Sequence, residues 1–372
     1  MKETNGQHII SLFEQWAPKY LAVEEDPVGL QIGTLNKTIT KVLVTLDVNL
    51  DTVEEAIVNG CELIIAHHPP IFRGLKNMRT DLPQGMLIEK LIKHDIAVYA
   101  AHTNLDIATG GVNDLLAAAL RLENINILEP TSSEQLMKLA VFTPKQSTEL
   151  VRTALAIAGA GEIGDYTDCS FTSEGEGRFK PSDLANPFIG QANELSIVDE
   201  DKVEVVFPVS AKSKILKALL NKHPYEEPAY DLFLLESEVN EKGLGRIGTL
   251  PEKETLSDYA QVVKKQLNVP FVRVVGDLTK EVQKVAVLGG DGNKYIQTAK
   301  KAGADVFITG DLYFHVAQDA EAIGLSVIDP GHHVEQIMKI GVAEYMTEVC
   351  NQNKLAVEFI PSKISTEPFQ LI

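Results

Sequence analysis

Cysteine and basic residues are scarce in this chain of 372 residues. The three cysteines, Cys61, Cys169 and Cys350, form no CxxC pair and no disulfide framework, which indicates a reducing compartment. Acidic residues outnumber Lys and Arg by 52 to 34, and the net charge of −18 argues against broad contact with nucleic-acid phosphates. No apolar run approaches the ~18 residues of a membrane span, and residues 1–16 have no signal-peptide layout. We therefore predict a cytoplasmic protein with no nucleic-acid or membrane partner.

Strand–helix–strand patterns near both ends of the chain indicate an internal duplication. The two stretches match at a constant offset of 243 residues, so that His68 falls on Asp311. A third strand in each half matches at an offset of 230, which puts His102 against His332 and implies about 13 extra residues in a loop near 73–86. Unrelated units of this kind also look similar, but the constant offset favours duplication. The predicted elements are strands 41–49, 62–68, 95–102, 284–292, 305–311 and 324–332 and helices 51–59 and 293–302.

The order of these elements predicts the fold class. Strand–helix–strand units imply right-handed crossovers and a mostly parallel sheet, so we expect an α/β core with a duplicated βαβ unit and sheets flanked by helices. Residues 1–131 and 241–372 form the two halves of that core. The segment 132–240 has a different pattern, two β-α-β units in about 100 residues, which predicts an inserted ferredoxin-like α+β domain. Its expected elements are strands 137–144, 203–209 and 229–236 and helices 147–158 and 211–221.

Two adjacent histidines, His67 and His68, end an apolar run that is typical of a buried strand, ELIIAHHPP (62–70). Neighbouring side chains on a strand point to opposite faces, and Pro69 and Pro70 keep the preceding residues extended as the chain leaves the sheet. Each imidazole can then face a different ion, which favours a site for two metals. The alternative is a structural pair with one buried and one exposed ring.

A second polar cluster follows the strand that ends at His102. Asp106 comes four residues later, where a carboxylate can bind or bridge ions, while His102 either ligates directly or holds the site through hydrogen bonds. Asp106 is alternatively a turn former. For Asn113 and Asp114, at the start of the next helical pattern, we prefer the interpretation as helix caps.

The third cluster lies in the segment GHHVEQ near the C-terminus. His332 and Glu335 are three residues apart and share one face of a helix, so both can reach one site, whereas His333 points elsewhere. A capped helix with surface histidines is the alternative. The three clusters together are more convincing than any one, and they predict these metal ligands: His67, His68, Asp106, His332 and Glu335.

The ligand types restrict the metal and the chemistry. Nitrogen and oxygen ligands without thiolate suit two divalent ions, with zinc favoured and iron or manganese as alternatives. Two ions ~3.5–4 Å apart can activate water and hold both oxygens of a displacement. A small anionic molecule is an allowed partner, because the ions outweigh the acidic global charge. Asp311, His102 and His315 are candidates for supporting the site or carrying protons. Glu226 and Glu227, in a polar segment, are interpreted as part of a turn and an interface strand.

These residues resemble the Nif-three-like dinuclear-metal family, often named GTP cyclohydrolase I type 2 homologues. The motifs occur in the family's order along nearly the whole chain: DPVGLQIG, LDVN, AHHPP, AHTNLD, GGVND, GGDG, TGD and GHHVEQ. The resemblance implies that the five residues above bind two metals, with His102 beside them but not bound. It also implies a toroidal homohexamer whose sites face an internal cavity. One departure concerns the Trp-Asp-Asn that often precedes GLQ in the family, where this chain has Glu25, Asp26 and Pro27.

The resemblance extends to the middle of the chain. Residues 132–240 are similar to the inserted domain of longer bacterial members, which is itself similar to the signalling PII and CutA proteins and implies trimer contacts through the insert. Two hypotheses for function follow. One is a metal-dependent hydrolase acting on a nucleotide or phosphate ester, with His102 or His315 as proton carrier. The other is a non-catalytic regulatory or metal-handling protein that senses a small molecule through the insert.

Overall fold

The structure, a computed structural model, describes residues 4–164, 166–370 and 372, without the side chains of 134 and 237–240. The chain divides into two compact units. The first unit comprises residues 1–132 and 242–372, and the second comprises 133–241. No helix among the described residues is both long and apolar enough to cross a membrane.

The elements alternate between strand and helix over most of the chain. The strands are β1 Gly29–Ile32, β2 Lys41–Thr45, β3 Leu63–Ala66, β4 Ala97–Ala100, β5 Glu123–Pro144, β6 Phe171–Phe179, β7 Ser196–Pro208, β8 Tyr230–Thr255, β9 Arg273–Val275, β10 Glu281–Asp291, β11 Val306–Gly310, β12 Ser326–Asp329 and β13 Glu358–Pro361. The helices are α1 Gly6–Trp16, α2 Leu50–Asn59, α3 Pro83–Lys93, α4 Thr103–Ile107, α5 Val112–Ala119, α6 Thr148–Ile157, α7 Lys212–Lys222, α8 Leu256–Gln266, α9 Ile296–Lys301, α10 Phe314–Ala322 and α11 Met338–Gln352. The predicted elements of both halves and of the insert are present. Most ends lie within a few residues of the prediction, but β5 begins 14 residues earlier and β8 ends 19 residues later than predicted.

The first unit contains two mixed sheets with related strand orders. One has the order β1-β4-β3-β2-β13 and the other contains β8-β10-β11-β12-β9. In the first sheet, β2, β3 and β4 run parallel, and β1 pairs antiparallel with β4. In the second, β10, β11 and β12 run parallel, and β9 pairs antiparallel with β12. Helices flank the sheets, so the α/β class is confirmed.

The first sheet is buried on both faces, as expected for parallel strands covered by helices. Alternate residues of β3 belong to different apolar clusters: Leu63 and Ile65 pack with the large core that includes α1, while Ile64 and Ala66 pack with α2 and α3. All four side chains are fully buried. Packing on both faces therefore fixes the position and register of β3, which ends just before His67 and His68.

The second unit follows the order β-α-β-β-α-β that ferredoxin-like domains have. Strand β7 pairs antiparallel with both β5 and β6, and the order across the sheet is β6-β7-β5-β8. Helices α6 and α7 cover one face, where Val151, Leu155, Ile215 and Leu219 pack on alternate residues of β5 and β7. This unit thus has an apolar core of its own.

Two residues that we interpreted as caps of α5 have other roles. The helix begins at Val112 after Gly111, whose position at the N-cap leaves Asn113 and Asp114 inside the first turn. Asp114 accepts hydrogen bonds from the Nε and Nη2 groups of Arg246, at 2.5 and 2.9 Å. Arg246 is 4% exposed and also donates to the carbonyls of Gly243 and Gly245. The cap interpretation is wrong for Asn113, whose partners are all tertiary. Asp114 does accept a bond from the amide of Gly110 at the start of the helix, at 2.6 Å, but it also pairs with Arg246.

Replacing Arg246 by Met tests how much this buried pair contributes to stability. The change leaves the Asp114 carboxylate and two carbonyls without their donor, so we expect the free energy of unfolding to fall by about 3–5 kcal/mol. Arg79→Met is the matched control, because Arg79 pairs with Asp81 in the same way but on the exposed surface and should leave the urea midpoint unchanged. Equal midpoints for both variants would contradict the prediction.

Candidate metal centre

The register of the first sheet brings one set of polar residues to one edge. Ala66 at the end of β3 pairs with Thr45 of β2 and with Ala100 of β4. The residues that follow these strands therefore emerge together at the carboxyl ends, where ligands bind in parallel sheets. They are Asp47, His67, His68 and His102, with Asp106 on the short helix α4.

The other residues come from the loop after β12. His332 and Glu335 lie on a 3-10 helix, His332–Ile337, instead of the α-helix that we predicted to begin here. Because a 3-10 helix has three residues per turn, side chains three apart lie directly above each other. Gly310 permits this loop to approach β11, since a Cβ at position 310 would lie 2.8 Å from the backbone nitrogen of His332.

Three imidazoles share one hydrogen-bonding arrangement. The Nδ1 of His67 donates to the carbonyl of Ala101 at 2.8 Å. The Nδ1 of His68 donates to Asp47, and that of His332 to Asp311, both at 2.7 Å. An acceptor on Nδ1 fixes the ring orientation and directs Nε2 to the other side, as for histidines that bind metals.

The Nε2 atoms converge on the buried carboxylate of Glu335. Its Oε2 lies 3.8 Å from Nε2 of His67, 3.1 Å from that of His68 and 3.2 Å from that of His332. Two groups of potential ligand atoms, each within 4.8 Å, have this glutamate in common. One group contains His67, Asp106 and Glu335, and the other contains His68, His332 and Glu335.

Unsatisfied polar atoms show that these residues fit a metal ion. Among the described residues, Nε2 of His67 and Oδ1 of Asp106 are buried and have no hydrogen-bond partner. They lie 3.6 Å apart, too far for a hydrogen bond. Two ligands bound ~2.1 Å from one tetrahedral ion are about 3.4 Å apart, so an ion between them would satisfy both atoms. The donor set can bind a metal ion.

The carboxylates strongly affect the protonation of the histidines. Burial alone would lower the pKa of His68, but hydrogen bonds to Asp47 and Glu335 outweigh it and raise the pKa to about 10. The hydrogen bond to Glu335 raises the pKa of His332 to about 9. Burial raises the pKa of Asp106 to about 6, whereas the three imidazoles overcome the same effect at Glu335 and hold its pKa well below the usual value. Without metal, the protonated imidazoles therefore neutralise the negative charge of Glu335.

His102 lies beside the two groups and has a partner that the sequence did not reveal. Its ring centroid is 5.2 Å from that of His67, and its Nδ1 donates to Asp26 at 2.8 Å. Asp26 is one of the two acidic residues in the segment that departs from the family pattern. Burial opposes ionisation of Asp26, but bonds from His102 and Thr103 lower its pKa. The arrangement leaves Nε2 of His102 directed away from Asp26.

Two further candidates lie elsewhere. His315 is exposed on α10, where its Nδ1 lies 3.1 Å from Oε1 of Gln318, and none of the ligand groups found among the described residues includes it. His333, as predicted, is not in these groups either. The supporting position that we considered for Asp311 agrees with its bond to His332.

Sequence reasoning missed Asp47 and misread Asn113. Asp47 follows β2 as Asp106 follows β4, so its place after a strand was a usable signal. Asn113 is fully buried, donates to the carbonyl of Asp106 and accepts from the amide of Gly289, both at 3.0 Å. It thereby holds the ligand turn against the glycines that contact Glu335.

A cavity of about 910 Å³ opens next to the cluster. His68 and His332 line one side. Phe271 and Arg273 line another, with the guanidinium of Arg273 bonded to Asp329. The cavity is large enough for a nucleotide-sized molecule.

Known proteins are similar to this chain over its whole length. The model of the Duf34/NIF3 (NGG1p interacting factor 3) family matches residues 4–368. A Bacillus subtilis protein named GTP cyclohydrolase 1 type 2 homolog is 57% identical over 371 residues, covering all of both chains. A solved Bacillus cereus protein related to NIF3 is 50% identical with a TM-score of 0.94, and a Staphylococcus aureus structure is 34% identical with a TM-score of 0.83, each over the full length of both chains. The chain belongs to the Duf34/NIF3 family.

Proposed function

We propose that the cluster binds two divalent metal ions, one for each group of ligand atoms. The shared position of Glu335 supports this number, because its Oε2 lies within reach of both groups. In the two groups that contain Glu335, His67 belongs to one and His68 to the other, which agrees with the sequence argument that adjacent histidines serve different ions. A third group joins both histidines with His102. Nitrogen and carboxylate ligands favour zinc, with iron or manganese as alternatives.

The function that this site supports best is hydrolysis of a nucleotide or another phosphate ester. Bound divalent ions supply Lewis acidity and lower the pKa of water. Asp106 and Glu335 would offset two of the four positive charges, and Asp47 and Asp311, which bond to His68 and His332, would offset the other two. An anionic substrate would therefore be held by direct contact with the ions and not by a net positive charge of the site. The cavity beside His68 and His332 provides the space for it, and this adjacency is the observation that carries the proposal.

His102 is the residue best placed to carry a proton in that reaction. Asp26 accepts the Nδ1–H group, which leaves the Nε2 lone pair free to take a proton from the attacking group. The ionised carboxylate also stabilises the imidazolium that results, as in other carboxylate–histidine pairs. His102 therefore orients and transfers a proton, whereas the five ligands hold the metals.

The assembly and the insert belong to the same proposal. The resemblance to the family implies an oligomer, which we propose to be the toroidal homohexamer. The β-α-β-β-α-β order supports a PII/CutA-like inserted domain. Sites facing an internal cavity would restrict access to small substrates. The location that we propose is the cytoplasm.

Metal content and activity in ligand variants test the central claim. We expect about two divalent ions per chain in the wild type by mass spectrometry, and hydrolysis of at least one compound in a panel of nucleotides and phosphate esters. Glu335→Ala should lose both ions and all activity, because Glu335 is shared by the two proposed metal sites. His68→Ala should lose one ion and most of the activity, because His68 belongs to only one of them. His94→Ala, a histidine outside the cluster, is the control. Unchanged activity in metal-free variants would sink the hydrolase proposal.

His102→Gln separates proton transfer from metal binding. The variant should keep both ions but lose about 10²-fold or more in kcat/KM, since a positioned general base typically contributes at least that factor. Asp26→Asn should show a smaller loss in kcat/KM, because the amide oxygen can still accept the Nδ1–H group of His102 but carries no negative charge. His315→Gln should behave as wild type. If His315→Gln loses activity and His102→Gln does not, the proton carrier is misassigned.

The raised pKa values predict opposite pH effects with and without metal. The folded, metal-free protein holds protons on His68 and His332 up to pKa values of about 10 and about 9, whereas the unfolded chain loses them near 6.5. Stability contributed by these protons is complete below pH ~6.5 and is lost as pH rises to 9–10. The Tm of chelator-treated protein should fall by about 3 °C or more between pH 7 and 9.5.

The metal-loaded protein should not show that fall. Because each ligand must lose a proton to bind the ion, higher pH strengthens metal binding and with it the folded state. His332→Gln, treated with chelator, should show a smaller pH dependence than wild type. A parallel decrease in Tm for both the loaded and metal-free proteins would mean that other groups cause it.

A further inference from the structure

The second unit contains a cavity that the proposed reaction does not use. It has a volume of about 640 Å³, and all of its lining residues lie between 142 and 229. The hairpin of β6 and β7 forms one wall, and the loop that joins these strands forms another. This volume is in the range of small-molecule pockets.

A buried carboxylate lies in the wall of this cavity. Glu200 on β7 is 8% exposed, and its Oε1 accepts a hydrogen bond of 2.8 Å from the hydroxyl of Tyr225. Its Oε2 accepts no hydrogen bond from the described residues. Gly177 on the paired strand makes room for it, since a Cβ at that position would lie 2.0 Å from Oε2. The carboxylate thus presents to the cavity one oxygen that has no hydrogen-bond partner among the described residues.

Aromatic rings surround the same carboxylate. The Tyr225 ring packs edge-on against Phe179, with centroids 5.8 Å apart, and tilts toward Phe188 at 6.3 Å. All three rings line the cavity. Aromatic faces attract cations, and a carboxylate beside them strengthens the preference for positive charge.

A neutral histidine holds Tyr225 in this position. His223 donates from Nε2 to the carbonyl of Phe142 at 3.0 Å and accepts from the amide of Tyr225 on Nδ1 at 3.1 Å. His223 can form both bonds only as the neutral tautomer that carries its hydrogen on Nε2. His223 therefore adds no positive charge to the cavity and fixes the residue that orients Glu200.

Two of the three cations that line the cavity have carboxylate partners, and the third, Lys180, forms no ion pair with Glu200. Arg178 pairs with Glu176, and Nζ of Lys202 lies 3.2 Å from Glu204. In the described part of the chain, no Lys, Arg or His nitrogen forms an ion pair with Glu200. A buried carboxylate without a counter-ion is costly, and a cationic ligand would supply the missing charge.

We propose that this cavity binds a small organic ammonium ion with an aromatic or apolar body. The ammonium group would lie between Oε2 of Glu200 and the rings of Tyr225 and Phe179. The apolar body would pack against Phe188 and Ile189 in the loop after β6. The proposal gives the second unit a binding function of its own and does not rest on the metal centre.

Calorimetry on the full-length protein with tyramine as the probe tests this assignment. We expect tyramine to bind at least about tenfold more tightly than 4-ethylphenol, which has the same body without the charge. Glu200→Gln should weaken tyramine binding about tenfold or more, because the amide still accepts the tyrosine hydroxyl but lacks the charge. Glu194→Gln, an exposed residue of the same loop, is the matched control and should bind within about twofold of wild type.

A second variant keeps the test decisive if Glu200→Gln unfolds, which thermal melting would reveal. Phe188→Leu removes a ring that is 52% exposed, so it should fold normally and still weaken tyramine binding by about threefold or more. The proposal is overturned if tyramine and 4-ethylphenol bind equally, or if both Glu variants lose the same affinity. Binding of inorganic phosphate in place of tyramine would overturn it as well, since the cavity would then select anions.

Discussion

The burial of Glu335 is the constraint on which the metal centre depends. A carboxylate that is 3% exposed must be neutralised by its surroundings, and here three imidazoles face it. They come from the end of β3 and from the loop after β12, so the charge can be balanced only when both sheets of the first unit are formed. Gly290 is part of this requirement, since a Cβ there would lie 2.7 Å from Oε1 of Glu335.

The orientation of each imidazole is set by a hydrogen-bond acceptor that lies just past the end of a strand. The acceptors on Nδ1 are the carbonyl of Ala101, just past β4, and the carboxylates of Asp47 and Asp311, just past β2 and β11. Strand register therefore determines which nitrogen faces the cluster, and no long side chain has to be ordered at additional entropic cost. Proton and metal compete for the same Nε2 atoms, which makes metal binding inherently dependent on pH.

The sequence was sufficient for the fold class and for the members of the cluster, because both depend on local patterns. Apolar strands followed by Pro69 and Pro70 identify the position of the histidine pair, and a spacing of three residues predicts that His332 and Glu335 converge. The supporting residues were harder to predict. Asp47 was the easiest of them, because it follows a strand as Asp106 does. A lone Asp26 in a loop has the local pattern of a turn former, and Asn113 near a helix start has that of a cap. Only tertiary contacts distinguish these roles.

Glu200 and Glu335, the two glutamates that are buried among the described residues, differ in what neutralises their charge, and that difference bears on function. Glu335 has three imidazoles whose protons balance its charge when metal is absent, so its site is stable in either state. Glu200 has one neutral phenol and no cation in the described residues, so its charge is balanced only from outside the chain. The first arrangement exchanges protons for metal ions. The second remains incomplete until a positively charged molecule occupies it, which is why an uncharged analogue should bind poorly there.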